Sequence, residues 1–337
     1  MNTMKKEEII EKLSFLGEDI RENIDKEPYL SMYIKAQQEN AWFLKENIQY
    51  SLKHFLPWLE KKELHDFVAK YEENKKQKNL AIVCAGNIPA VGFHDVLCGL
   101  LSNCCLQVKL SSNDKTIIPF LINRMSEKTE LPVRFVDKIK DFDLVIATGS
   151  NNSSLYFESY FKKYPHIIRK SRASIAVIDK KDDDISGIED DVFMYMGLGC
   201  RNVSLLFLPL GFDVERIKER FKKYSFLIDF HKYKNNYDYY RAVFQMNNIN
   251  ALDGDFYLLQ NSKELHCPIS VVNYCFYENK KEVEDFIVEK HDELQCIVAE
   301  RFDFSREIKT IPFGKAQSPE IDDYADNIDT MSFLKNS

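Results

Sequence analysis

The residues best placed for covalent chemistry lie in one stretch, Met196-Gly197-Leu198-Gly199-Cys200-Arg201-Asn202-Val203-Ser204. Two glycines come just before the cysteine. The stretch joins an expected helix over 188–196 to an apolar strand over 203–208. Glycines there let the backbone bend sharply and approach another molecule closely. A thiol at such a bend is placed as a nucleophile, its thiolate attacking an electrophilic carbon. A cysteine can equally pack as a small apolar residue, so the reading depends on the rest of the chain.

The totals set bounds. A chain of 337 residues, 45% hydrophobic, is long enough for two lobes, each with its own core. Its formal net charge of -7 argues against a nucleic-acid or anionic-membrane partner. The tyrosine-rich stretch from His231 to Asn250 interleaves aromatic and basic residues as single-strand binders do, but it carries little net charge. The eight cysteines include no CxxC pair and no Cys/His set with zinc spacing. Asp182-Asp183-Asp184 reads as a solvated loop, so no metal is expected. The segment MNTMKKEEIIEKL lacks the apolar core of a signal peptide, and no stretch approaches the ~18 apolar residues of a membrane span. A cytoplasmic chain with reduced thiols is expected.

Several elements must position that thiol. Residues 1–78 read as amphipathic helices, with Phe43, Ile48, Leu52, Phe55 and Leu59 at helical spacing, closed by a polar run from Glu72 to Asn79. The simplest role for them is a layer packed on the next domain; a cover over an apolar substrate channel is the sharper alternative. From Leu80 strands alternate with helices. Strands are expected over 80–85, 105–110, 133–136, 144–147 and 174–178, with helices over 94–103, 111 to about 128, and 152–163. This βαβ order predicts a parallel sheet with helices on both faces, the usual setting for a nucleotide at the strands' carboxyl ends. The G-x-G-x-x-G fingerprint is absent. Thr148-Gly149-Ser150 instead lies where a strand meets a helix N-terminus, which suits a phosphate, and Lys109 closes the second strand. After Cys200 the alternation resumes, with strands over 203–208, 255–260, 270–277 and 296–300 and helices over 213–223 and 281–291.

In their order these pieces resemble the aldehyde dehydrogenase superfamily, and within it the LuxC-type acyl-CoA reductases. The resemblance covers roughly 80–334. Gly86-Asn87-Ile88-Pro89 is similar to the superfamily's Asn-x-Pro turn, whose Asn amide helps form the oxyanion hole. Val108-Lys109-Leu110-Ser111 resembles its Val-Lys-Pro-Ala segment, and Thr148-Gly149-Ser150 its pyrophosphate turn. Gly197-Leu198-Gly199-Cys200 resembles its nucleophile loop. Glu264-Leu265-His266-Cys267-Pro268-Ile269 resembles its Glu-x-Phe-Gly-Pro-Val motif, with Cys267 in place of a glycine. Pro312-Phe313-Gly314 resembles a late loop of the superfamily, and Tyr324 to Met331 the ending of the acyl reductases.

The resemblance implies an α/β, aldehyde dehydrogenase-like fold of two doubly wound parallel-sheet lobes, one Rossmann-like for the cofactor and one catalytic, with a helical N-terminal segment. The expected domains are the helical segment 1–78, a nucleotide-binding lobe 79–195, a catalytic lobe 196–315 and a tail 316–337. It implies catalytic Cys200 and Asn87, and cofactor contacts from Lys109, Ser112, Thr148, Gly149, Ser150 and Glu264. Oxidising members carry a water-activating Glu where this chain reads Ile168-Arg169-Lys170-Ser171-Arg172. Lacking it, an acyl-enzyme should be reduced to the aldehyde rather than hydrolysed. Ser112 stands where many NAD enzymes have a Glu that excludes a 2′-phosphate, so NADPH is the expected cofactor, with NADH admissible. The expected activity is reduction of a long-chain acyl thioester. The partners implied are acyl-CoA or an acyl-donor protein, a second copy of the chain, or an acyl-activating enzyme. A short-chain CoA-acylating aldehyde dehydrogenase and a non-turnover acyl carrier are the rival readings. His94 and His166 are candidate proton donors, each also explicable as a structural histidine.

Overall fold

The computed structural model describes residues 4–72, 76–126, 130–305 and 307–337. Residues 73–75 of the polar run and the expected helix end at Lys128 fall outside these. The chain forms two compact units, one of residues 1–171 with 319–337 and one of 172–318.

The first unit starts with α1 (Lys6–Asn23), α2 (Tyr29–Glu39), α3 (Lys45–Phe55) and α4 (Lys61–Ala69). Ile9, Leu13, Leu16 and Ile20 line the buried stripe of α1, a three-to-four spacing that needs one apolar face. Gly17 lets α1 approach closely, since a Cβ there would stand 2.9 Å from Leu59 Cβ. These helices share one hydrophobic core with the sheet that follows. That sheet is built from β1 (Lys78–Val83), α5 (Phe93–Leu101), β2 (Cys104–Lys109), α6 (Ile117–Met125), β3 (Val133–Phe135), β4 (Leu144–Thr148), α7 (Asn151–Phe161) and β5 (His166–Arg169). Its strand order is β3-β2-β1-β4-β5, all parallel. Apolar runs such as Leu80-Ala81-Ile82 are buried on both faces, as a helix-covered parallel sheet requires. The order reverses between β1 and β4, so the loops leaving those strands flank the crevice where such sheets hold ligands.

A buried ion pair ties this unit together. Arg169 Nη1 donates to both carboxylate oxygens of Asp95 at 2.7 Å, and Nη2 donates to Thr330 Oγ1 at 2.9 Å. The pair links β5, α5 and the C-terminal helix Thr330–Asn336.

The second unit contains β6 (Ala173–Val177), α8 (Ile188–Phe193), β7 (Val203–Pro209), α9 (Glu215–Phe221), α10 (His231–Met246), β8 (Ala251–Asp253), β9 (Leu258–Asn261), β10 (Val271–Tyr277), α11 (Lys280–Glu289) and β11 (Leu294–Val298). Its sheet runs β11-β6-β7-β10-β9-β8. It is parallel except for β8, which pairs antiparallel with β9 through a short turn closed by Gly254 N–H to Tyr257 O. The tyrosine-rich stretch is α10, with Tyr233, Tyr237 and Phe244 buried along it.

Two expectations change. The strand expected over 174–178 as the fifth of the first sheet is β6, which pairs with β7 and β11 in the second; the first sheet's fifth strand is β5. The units therefore divide at 171/172 rather than 195/196. The tail boundary lies at 318/319 rather than 315/316, where Trp58 Nε1 donates to Pro319 O at 2.8 Å. Among the described residues no helix is long and apolar enough to cross a membrane.

Asp95→Ala would leave the Arg169 guanidinium buried without its counter-charge, so it should lower the unfolding free energy by about 3–5 kcal/mol, read by chemical denaturation. A loss under about 1 kcal/mol would show that the pair is not structural.

Candidate active site

In the second unit, the loop that ends at Cys200 is held in an unusual backbone shape. The helix expected to run to Met196 stops at Phe193. Tyr195 (φ 52°), Met196 (φ 59°) and Gly197 (φ 77°) then follow one another in the left-handed region. Glycine adopts this shape readily, but Tyr and Met do so at a cost of about 1–3 kcal/mol each. Their side chains are buried, which offsets part of that cost.

Asn202 fixes the loop. Its Oδ1 accepts the Gly199 N–H at 2.8 Å. Its Nδ2 donates to Met194 O at 2.7 Å, Val192 O at 3.1 Å and Asp191 O at 3.4 Å. Ser174 Oγ donates to Cys200 O at 3.0 Å and accepts the Cys296 N–H at 3.1 Å. The adjacent Arg201 reaches Cys296 Sγ at 3.3 Å and Ala316 O at 3.4 Å. Sequence reasoning assigns no role to Asn202, Ser174 or Asp191; the only signal is a run of polar residues in otherwise apolar surroundings.

Burial separates the thiols. Cys84 and Cys98 are pushed far up by burial, Cys104 and Cys267 to about 12, and Cys275 to about 11. Such thiols carry almost no thiolate at neutral pH. Cys200, at its bend, and Cys105, on β2, are partly exposed.

Glu264 belongs to the same unit and is exposed. Asn273 Nδ2 donates to Glu264 O at 2.8 Å and Ser204 Oγ to Leu265 O at 2.5 Å. The neighbouring Cys267 thiol donates to Val271 O at 2.9 Å. The Gly-to-Cys departure thus leaves a well-anchored turn.

The first unit assembles the other candidates at one sheet edge. Val83 pairs with Lys109 and with Ala147, so the Asn87, Lys109–Ser112 and Thr148–Ser150 loops leave the sheet at one level. Asn87, Lys109, Ser112 and Ser150 are exposed and Thr148 is half-buried. Ser150 Oγ caps α7 by accepting the Ser153 N–H at 3.3 Å. A Cβ on Gly149 would stand 2.9 Å from both Phe157 Cε2 and Ser153 Cβ. The bare glycine backbone leading into the helix N-terminus suits a pyrophosphate, so the residues present fit a dinucleotide.

Both candidate histidines contact backbone carbonyls of the first unit. His94 Nε2 lies 2.7 Å from Ile321 O, its ring against Trp58 and Tyr324. His166 Nδ1 lies 2.8 Å from Tyr164 O at the exposed start of β5. Among the described residues no group of three or more His, Cys, Asp or Glu could hold a metal.

Asp191 couples the nucleophile loop to the Pro312-Phe313-Gly314 segment. Its carboxylate accepts the N–H of Gly314 at 2.7 Å and of Ala316 at 2.9 Å. Burial, against those two bonds, raises its pKa to about 7. An unfolded Asp titrates near ~4, so between about pH 4 and 7 the folded chain holds a proton the unfolded chain has lost. Stability should therefore fall as pH rises through that window. Asp191→Asn should flatten this part of the denaturation-midpoint profile; an unchanged slope would refute the assignment.

The comparisons with known proteins identify the fold and the family. No curated protein matches the chain in sequence. Aldehyde dehydrogenase 21 of Physcomitrella patens, solved with succinate, superposes with a TM-score of 0.73 at 12% identity, covering 99% of this chain and 84% of its own. Betaine aldehyde dehydrogenase of Staphylococcus aureus, solved with NAD+, gives 0.65 at 10% identity over 88% and 70%. An NADP-dependent enzyme of E. coli gives 0.64 at 12% over 90% and 74%. The fold is thus that of the aldehyde dehydrogenases. The family model for acyl-CoA reductase (LuxC) matches residues 7–221, from the first helix to beyond the Cys200 loop. This chain belongs to the LuxC acyl-CoA reductase family and is an aldehyde-related oxidoreductase of the aldehyde dehydrogenase fold.

Proposed function

We propose that the chain reduces a long-chain acyl thioester to the aldehyde at the expense of NADPH, by way of a thioester on Cys200. The observation that carries this reading is the strained, Asn202-anchored loop that presents Cys200 while burial suppresses the thiolate forms of Cys84, Cys98, Cys104, Cys267 and Cys275.

The chain's own contributions follow from its chemistry. The Cys200 thiolate attacks the acyl carbon and its sulfur bonds to that carbon. The bond to the donor thiol breaks, and the thiol leaves with its electron pair and takes up a proton. By the resemblance, the Asn87 amide and the Cys200 backbone N–H are the donors to the oxyanion, each such donor being worth about 3–4 kcal/mol. Lys109, Ser112, the Thr148–Ser150 turn and Glu264 would hold a reduced nicotinamide cofactor, which supplies the hydride when bound. Ser112, an uncharged side chain, leaves room for a 2′-phosphate. Collapse of the thiohemiacetal on Cys200 then frees the aldehyde and restores the thiolate.

The direction of reaction rests on the resemblance at Ile168 to Arg172. In the segment aligned with the hydrolytic Glu, Arg169 is buried and its guanidinium engages Asp95. Ile168 to Arg172 itself carries no carboxylate to activate water, so the thioester is left for hydride. The acyl donor is CoA or an acyl-donor protein.

The test is NADPH oxidation with acyl-CoAs of graded chain length. Wild type should form aldehyde fastest with long chains. Cys200→Ala should lose aldehyde formation and retain NADPH binding, and turnover by that variant would end the proposal. Asn87→Ala should lower kcat by about a hundredfold or more. A preference for NADH and short chains would point instead to a CoA-acylating aldehyde dehydrogenase. A Cys200 adduct that NADPH does not discharge would point to an acyl carrier.

A further inference from the structure

Among the buried polar side chains of the first unit, three bond the loops at the sheet edge. They are Asn40, between α2 and α3; Ser51, on α3; and Asp114, at the entry to α6. Burying a polar group is costly unless its hydrogen bonds are made, so the partners of these groups indicate what they are for.

All three address the turn that carries Asn87. Asn40 Nδ2 donates to Gly86 O at 3.4 Å and to Asn113 O at 3.2 Å, and its Oδ1 accepts the Trp42 N–H at 3.1 Å. Ser51 Oγ donates to Pro89 O at 3.1 Å. Asp114 accepts the Ala90 N–H at 3.0 Å and the Ile117 N–H at 3.2 Å. Ala90 itself stands in the left-handed region at φ 54°, a conformation that needs outside support. Gly86 packs so closely on Ser111 that a Cβ would meet its Oγ at 2.6 Å. Asn87, in the middle of the turn, is exposed. The backbone on both sides of it is therefore clamped from below while its own side chain faces solvent.

We infer that the N-terminal helical layer is part of the reaction apparatus: Asn40 and Ser51, with Asp114, are positioning residues that set the Asn87 amide. This rests on the assignment of Asn87 to the oxyanion. Neither Asn40 nor Ser51 touches substrate. Each acts through the turn, and a small misplacement of an oriented group costs turnover far more than binding. Asn40 also bonds Asn113, one residue beyond Ser112 in the loop that follows Lys109, so one side chain sets the relation of the two loops.

A double-mutant cycle tests this. Asn40→Ala and Ser51→Ala should each lower kcat about tenfold, and Ser51→Ala, whose bond is to the Asn87 turn alone, should leave KM for NADPH little changed. In an Asn87→Ala background the same substitutions should cost less than about twofold, because no amide remains to be positioned. Equal losses in both backgrounds would overturn the inference and return the helical layer to packing alone. If Asn87→Ala leaves kcat unchanged, the oxyanion assignment fails instead, and the two failures are thereby told apart. Should Asn40→Ala not fold, Ser51→Ala, which deletes a single oxygen, decides between the two outcomes by itself.

Discussion

One carboxamide holds the shape on which the candidate chemistry depends. Asn202 has one acceptor and two donor hydrogens and satisfies four backbone groups: the N–H of Gly199 and the carbonyls of Asp191, Val192 and Met194. A segment of left-handed Tyr195, Met196 and Gly197 would relax in isolation. It persists because Asn202 bonds the backbone on either side of it, Met194 O before and the Gly199 N–H after, and an unmade buried bond costs about 1–3 kcal/mol. Burial of Tyr195 and Met196 works in the same direction. The left-handed turn reverses the chain after α8, and Cys200 emerges at a bend before β7 begins.

The same logic recurs in the first unit with different residues. Asn40, Ser51 and Asp114 are buried, and each reaches the backbone of a loop whose central side chain is exposed. In both units the group that would meet substrate makes a small part of the structure, and the rigidity comes from side chains beneath it. This division has a physical reason. A reactive group must be accessible, and an accessible side chain is mobile. Precision therefore has to come from backbone held by bonds that water cannot compete for.

Much of this is legible in the sequence, and the gaps have identifiable causes. The parallel strands are readable because double-sided burial demands apolar runs such as Leu144-Val145-Ile146 and Val203 to Leu208. The turns stand out because glycine is scarce: 11 in 337 residues. β5 escapes a local reading because His166 and Arg169 bracket only two apolar residues; nothing local shows that Arg169 is buried, since its counter-charge, Asp95, is far away in sequence. β6 reads as a strand but not as a member of the second sheet, because strand order is decided by long-range pairing, on which local pattern is silent. The helix into Cys200 reads too long because Tyr195 and Met196 tolerate a helix well, and nothing in their residue types shows that Asn202 bonds the backbone on either side of them. The supporting polar residues are illegible for the same reason: a buried Asn and an exposed one look alike until the fold is known.

The least regular motif in the sequence gains most from the structure. The family match ends at residue 221, so the Glu264 turn lies beyond it, and Cys267 breaks the superfamily pattern there. Yet Ser204, within the matched stretch, donates to Leu265 O and accepts the Cys267 thiol through its own carbonyl at 3.6 Å. β7 also pairs in parallel with β10, from which Asn273 holds Glu264 O. The strand that leaves the nucleophile loop is thus bonded directly to the turn that carries Glu264. A Gly-to-Cys change is tolerated because the thiol is turned inward to backbone carbonyls, where burial keeps it protonated, and the turn's outward face is left to the glutamate. The spacing between Cys200 and Glu264 is therefore set by sheet register within a single unit, and it survives a broken sequence motif because hydrogen bonds to backbone carbonyls specify position without specifying residue type at the turn.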